Sequence, residues 1–208
     1  MTPIPLSEVT AIRERFARGR ELTAARFRDA FAASDAPPNE RWRSHLEIQA
    51  ASMLDALEYV SLPGALKVHY EIDGRVIRPF VKPNTPLYPF FAIEKTPPAL
   101  LEYWIFVSEL SSSGAWSMTR LVATSEEYND ALARMQQPQL VRSLVAAFLP
   151  AGEFRDDGNA MLDVTLYTCA GEERVERRRL LLDENQEFHF HSRELIAEGR
   201  GGALSSEL

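Results

Sequence analysis

The chain has one cysteine, Cys169, in 208 residues, so no internal disulfide can form and a reducing compartment is the natural setting. Long apolar runs are also missing. The longest stretch without a charge is Pro83–Ile93, eleven residues of which three are proline, whereas a membrane-spanning helix needs roughly 20 apolar residues. Met1–Phe16 carries four charged residues and lacks the apolar core of a secretory signal. No Asn-x-Ser/Thr acceptor occurs. A soluble, cytoplasmic protein is expected. Basic charge is scarce too: 23 Lys and Arg against 30 Asp and Glu leave a net charge of −7. That balance works against phosphate backbones and anionic lipid, so neither nucleic acid nor membrane is expected as a partner.

What is present is ordinary globular material, 45% hydrophobic and 25% charged, enough to bury a sizeable core. The first third has helical periodicity. Val9, Ile12, Phe16, Ala24, Phe27 and Phe31 recur at helical spacing behind Ser7, with Gly19 a candidate break. Pro37-Pro38 ends that segment. Asn39 can cap a second helix whose stripe is Trp42, Leu46, Met53, Leu57 and Val60, up to the stop at Pro63-Gly64.

The period then changes to two. Leu66, Val68, Tyr70 and Ile72 alternate with Lys67, His69 and Glu71, and Asp73-Gly74 predicts a hairpin turn returning through Val76–Val81. Pro79–Pro98 holds six of the thirteen prolines, interleaved with aromatics, and reads as an ordered crossing. Leu100–Leu110 and Trp116–Ala123 are expected to pair as a second hairpin around Ser111–Ala115. Helices are expected from about Ser125 to Gln136, capped by Thr124 or Ser125, and from Pro138 to Phe148. Three strands close the chain: Met161–Cys169, Val175–Leu182 and Glu187–Ser192. No linker separates two cores, so residues 1–208 are expected to form one domain, helical over 1–62, mainly β over 65–192, with a flexible tail from 199 to 208.

The fold class predicted is α+β: N-terminal helices packed on a curved, mainly antiparallel sheet, with an inserted helical segment. At fold level this resembles the cystatin and nuclear-transport-factor-like type, which implies a pocket between sheet and helices. The Pro79–Pro98 crossing and the Ser125–Phe148 helices are additions to that type.

Aligned across the expected second hairpin, Trp104, Phe106, Trp116, Met118 and Val122 share one face with Arg120, a guanidinium beside a ring. For the last three strands, a register pairing apolar with apolar places Val164 opposite Leu180, Leu162 opposite Leu182, Leu182 opposite Phe188 and Leu180 opposite Phe190. The reverse face then carries Asp163, Thr165, Tyr167, Arg177, Arg179, His189 and His191. It is either the solvated outer side of an antiparallel sheet or the mouth of a pocket walled by Trp104, Phe106 and Trp116. Such a pocket would take an aromatic or apolar molecule with an acidic group, held by Arg120, Arg177 or Arg179, with His191 beside Arg179.

Catalytic signatures are sparse. Gly-x-Ser-x-Gly, a Walker loop, His-Glu-x-x-His and Cys-x-x-Cys are all missing. His189-Phe190-His191 has chelating spacing, but its distance to Glu194 is one residue short of the shortest first cupin motif. The seventeen residues after His191 are too few for a second motif strand. A site recruiting His69 or Asp163 would still need three supported ligands, so no metal is expected. Cys169 reads as a small hydrophobe. Asp163 beside His189, with Tyr167 near, is a carboxylate–imidazole arrangement able to move a proton. Arg174–Arg179, alternating with acids, reads as a charged edge strand.

Two functional readings follow. One is a small-molecule binding module or cofactor-independent enzyme with its pocket on the sheet. The other is a protein–protein module or homodimer using the aromatic face, since Trp, Phe, Met and Arg are enriched at interface centres. Neither needs a cofactor.

Overall fold

A computed structural model of the chain describes residues 1–32, 35–73, 76–82, 84–111, 119–141, 148–169 and 173–199. In chain order the elements begin with β1 (Thr2–Pro3), α1 (Leu6–Phe31), α2 (Pro38–Leu54), β2 (Val60–Ser61), β3 (His69–Asp73) and β4 (Val76–Lys82). They continue with β5 (Thr85–Pro86), β6 (Ala92–Ile93), α3 (Pro97–Ser111), β7 (Thr119–Leu121) and α4 (Ser125–Arg134). The last five are β8 (Gln139–Leu140), β9 (Ala151–Phe154), β10 (Ala160–Thr168), β11 (Arg174–Leu182) and β12 (Phe188–Glu198). The fold is α+β, and every described strand pair is antiparallel. Among the described residues no helix is long and apolar enough to cross a membrane.

Contacts divide the chain into two compact units, Thr10–Ser113 and Met1–Val9 with Gly114–Leu208. In the first, helical unit, α1 runs without a break at Gly19. Its buried stripe includes Ile12, Phe16, Gly19 and Thr23, and the Thr23 hydroxyl turns back to donate to the Gly19 carbonyl at 2.9 Å. Gly19 serves a close approach. A Cβ there would lie 3.3 Å from Ala56 Cβ, Met53 Sδ and the Ser52 carbonyl oxygen. In α2 the N-cap is Pro37, without a side-chain cap bond, so Asn39 is inside the helix. The hairpin at residues 66–81 is seen as β3 and β4, with Tyr70 opposite Pro79; its turn residues Gly74 and Arg75 lie outside the described residues.

The main correction concerns Leu100–Leu110, expected as a strand and found in α3. Two prolines open α3 where free N–H groups are not needed, and the Ala99 N–H bonds to Thr96 Oγ1 at 3.4 Å. Ala99, Leu100, Leu101, Tyr103, Trp104, Phe106 and Leu110 are all buried, so the helix is apolar over most of its circumference, with Glu102 and Glu109 as its paired acids. Phe91 packs on two of its rings, 5.5 Å from Tyr103 and 5.2 Å from Phe106 between centroids.

The sheet unit carries seven strands in the order β1-β9-β10-β11-β12-β8, with β7 pairing the far end of β10. Register shifts between Val175 and Glu176 and between Arg179 and Leu180 interrupt the β11–β12 ladder; such bulges bend a strand and raise its twist, and the sheet is strongly curled. The predicted pairs Leu182–Phe188 and Leu180–Phe190 are present. The β10–β11 pairing is offset by two residues, Leu162 facing Leu180 and Asp163 facing Arg179, which keeps every side chain on its predicted face. β11 is interior, between β10 and β12, so the Arg174–Arg179 tract is not an edge. Its charges are paired instead: Arg178 with buried Glu176, and Arg177 and Arg179 with Asp163.

Helix α4 covers one face of this sheet through Ala131 and Met135, which pack with Val122, Tyr167, Val175, Ile196 and Ala197. Its start is a variant of the capping box in which the acid reaches one residue before the N-cap. The Glu127 N–H donates to Thr124 Oγ1 at 3.1 Å, and the Ala123 N–H donates to Glu127 Oε2 at 2.6 Å. The helix expected over Pro138–Phe148 is corrected at its start, where Gln139–Leu140 form β8; residues 142–147 lie outside the described residues, as do 112–118 and the expected tail from 200 onward.

Candidate functional site

Trp104 and Phe106, expected on one face of a sheet-face pocket, do not share a face. Trp104 and Phe106 sit in α3, 7% and 0% exposed, and two residues along a helix turn a side chain by about 200°. They therefore cannot share a face as they would in a strand. Trp116 and Met118 lie outside the described residues. Arg120 is exposed on β7, opposite Tyr167.

On the reverse face of the sheet the arrangement also differs from expectation. Asp163, 4% exposed, takes Arg179 rather than His189. Arg179 Nε donates to Oδ1 at 2.7 Å and its NH2 to Oδ2 at 2.8 Å, while Arg177 NH2 reaches Oδ2 at 3.3 Å. This is a bidentate cross-strand pair, with arginine rather than imidazole as the partner. Thr165 and Tyr167 are likewise buried, so β10 is covered where a wet face was an alternative. His189 Nε2 instead lies 2.8 Å from Asp183 Oδ2. Partial burial pushes the Asp183 carboxyl up, but hydrogen bonds from the Glu187 N–H, His189 and the Asn185 N–H outweigh it and hold the group below its ordinary value. His191 falls at the bulge, between Phe190 opposite Leu180 and Ser192 opposite Arg179. Tyr167 donates its hydroxyl to Glu173 Oε1 at 3.2 Å. Cys169 is half-buried against the α4 cluster, and His69 sits on β3 opposite Phe80.

A concave, charged surface is found elsewhere, in the helical unit. A cleft of about 290 Å³ is lined by Arg15, Arg18, Gly19 and Leu22 of α1 and by Ser52, Asp55, Ala56, Leu57 and Glu58 at the end of α2. It exists because Gly19 lets the end of α2 approach α1 while the longer side chains on either side of that contact leave a gap.

The chemistry of the cleft is organised from behind by Glu102. This carboxylate is 0% exposed and accepts from Arg15 NH2 at 2.8 Å, from the Glu58 N–H at 3.1 Å on both oxygens, and from the Tyr59 N–H at 2.7 Å. A buried carboxylate persists only when paired and hydrogen-bonded in this way. Arg15 is thereby fixed. Its NH1 pairs with Glu58 Oε2 at 2.7 Å, its Cζ lies 5.3 Å from the Tyr59 ring centre, and its Nε, buried, has no acceptor among the described residues. On the rim, Arg18 is exposed and has no ion-pair partner among the described residues. Arg26 braces the other wall, NH1 to Ser52 Oγ at 3.2 Å and NH2 to Asp55 Oδ2 at 2.7 Å.

None of Arg15, Glu58 or Glu102 figured as a site residue in the sequence reading. The one signal available was Glu102 itself, an acid within the apolar run Ala99–Val107, which demands a buried partner. Compared with known proteins, the chain matches no family model, no curated protein and no solved structure.

Proposed function

We propose that this protein binds a small molecule carrying an acidic group, and that the α1–α2 cleft is its site in place of a pocket on the sheet. The observation that carries the reading is Arg15, held by Glu102 and Glu58 in a concave wall, with the exposed guanidinium of Arg18 beside it on the rim. A guanidinium fixed before binding loses little entropy on taking an oxyanion. Arg18 supplies a second donor set at the rim, and Leu22, Ala56 and Leu57 offer apolar surface to the rest of the molecule. The volume stands at the lower end of the roughly 300–1,000 Å³ typical of ligand pockets, which favours a metabolite-sized ligand.

Binding is favoured over catalysis. Ser52 is the hydroxyl in the lining, and its Oγ faces Arg26, a group that cannot take a proton; a nucleophile needs a neighbouring base. The reading is tested by thermal-shift titration with 4-methylpentanoate and 3-phenylpropanoate. Either acid should raise the melting temperature of the wild type, by about 2.7 kcal/mol of added stability at a hundredfold excess over Kd, and Arg18→Ala should remove the shift without lowering the ligand-free melting temperature. A shift that survives Arg18→Ala, or no shift with any acid, overturns it.

The second reading, a protein partner or a homodimer, is supported by a different surface from the one first expected. Trp42 is 41% exposed and stacks at 5.9 Å on His45, which meets Phe27 edge-on at 4.6 Å. Light scattering of the wild type and Trp42→Ala distinguishes assembly through this indole from a monomer.

A further inference from the structure

From the charge balance of the cleft we infer that its ligand is a zwitterion, a carboxylate with a protonated amine close by, of the size of an aliphatic amino acid. This rests on the cleft being the binding site, as proposed above. Three guanidinium groups, Arg15, Arg18 and Arg26, stand against three carboxylates, Asp55, Glu58 and Glu102, each within the lining or hydrogen-bonded to a lining residue. The site is electroneutral. A plain monoanion entering it adds a charge with no net counter-charge in a partly desolvated wall, and so binds more weakly than a zwitterion. A zwitterion adds none.

The two signs of the lining also come from different segments of the chain. The guanidinium groups of the lining, Arg15 and the exposed Arg18, both belong to α1. The open carboxylates belong to the facing segment: Asp55 and Glu58 each give one oxygen to an arginine, and their side chains are 55% and 57% exposed. A carboxylate placed against α1 and an ammonium turned to the end of α2 would satisfy both walls. Leu22, Ala56 and Leu57 would then meet an aliphatic side chain. Glu102 is spent on Arg15 and two backbone N–H groups, so it positions the arginine and does not meet the ligand.

The test compares three isosteric probes on the full-length protein by isothermal titration calorimetry: leucine, 4-methylpentanoate, which lacks the amine, and 3-methylbutylamine, which lacks the acid. Leucine should bind about tenfold or more tighter than either, since each added charged hydrogen bond is worth at least that factor. Arg18→Ala should weaken leucine and 4-methylpentanoate but not the amine. Asp55→Asn should weaken leucine and the amine but not 4-methylpentanoate. If 4-methylpentanoate binds as tightly as leucine and depends on Arg18, the zwitterion inference falls while the acid-binding reading stands. If neither leucine nor 4-methylpentanoate binds in an Arg18-dependent manner, both fall.

Discussion

Tyr167 shows how a single side chain joins strand, helix and loop in the sheet unit. It is buried under α4, and its hydroxyl donates to Glu173, whose other oxygen accepts the Gln136 N–H at 2.7 Å. Burial first, then the charge of Glu173 and the hydrogen bond to it, push the phenol up to about 12. The folded state therefore holds this proton more tightly than the unfolded chain, where the value is near 10. Stability from Tyr167 is complete below about pH 10 and is lost as pH rises towards 12, because the folded state must give up a proton it favours. Urea unfolding at about pH 8 and about pH 11.5 should show the wild type losing more stability than Tyr167→Phe over that interval. Parallel losses would mean that the hydroxyl titrates as it does in water. At this scale the sequence misled on partners more than on faces. A shift of two residues in β10–β11 left Asp163 on its predicted face but set it against Arg179, and the β11–β12 turn gave His189 a different carboxylate, Asp183. Face is written in alternation; which neighbour a charge meets depends on turn length, and alternation says nothing about that.

Among the elements, those with one buried face were legible. α1 and the last three strands follow from period, and α4 from the cap, read as Thr124 or Ser125 and found at Thr124. α3 was not, because apolar residues crowd Leu100–Leu110 on most sides and its narrow polar stripe, Glu102 and Glu109 seven residues apart, was all that set a period of 3.6 against one of 2. The cleft was invisible for another reason. Arg15 and Glu102 are 87 residues apart, and no local pattern joins an exposed-looking arginine on one helix to an acid within another. Gly19, first read as a break in α1, proves to be the residue that brings the end of α2 close. That role can be measured. Gly19→Ala sets a helix-propensity gain of up to about 1 kcal/mol against contacts at 3.3 Å, and the two effects oppose. Gly19→Val adds branches that the neighbours cannot absorb, so it should destabilise by about 1–3 kcal/mol and abolish binding of the acid probes by occupying the cleft. A Gly19→Val protein with wild-type stability would show that the approach of the two helices is not tight.

For the whole molecule, the question is whether the two compact units answer to stress together. Contacts cluster within Thr10–Ser113 and within Met1–Val9 with Gly114–Leu208, and cooperative opening tends to follow such clusters. Glu102→Ala is the sharpest probe, since it strips an acceptor from Arg15 and from the Glu58 and Tyr59 N–H groups. Removing one member of a buried ion pair costs about 3–5 kcal/mol. Native-state amide exchange should then accelerate in α1, α3 and at Tyr59. The amides of β10, which is hydrogen-bonded to β9, β11 and β7 and buried along nearly its whole length, should keep their protection, because they sit in the other cluster and none of their bonds involves Glu102. Equal acceleration at Leu162, Val164 and Leu166 would show instead that the chain opens as one cooperative body, the division in contacts notwithstanding.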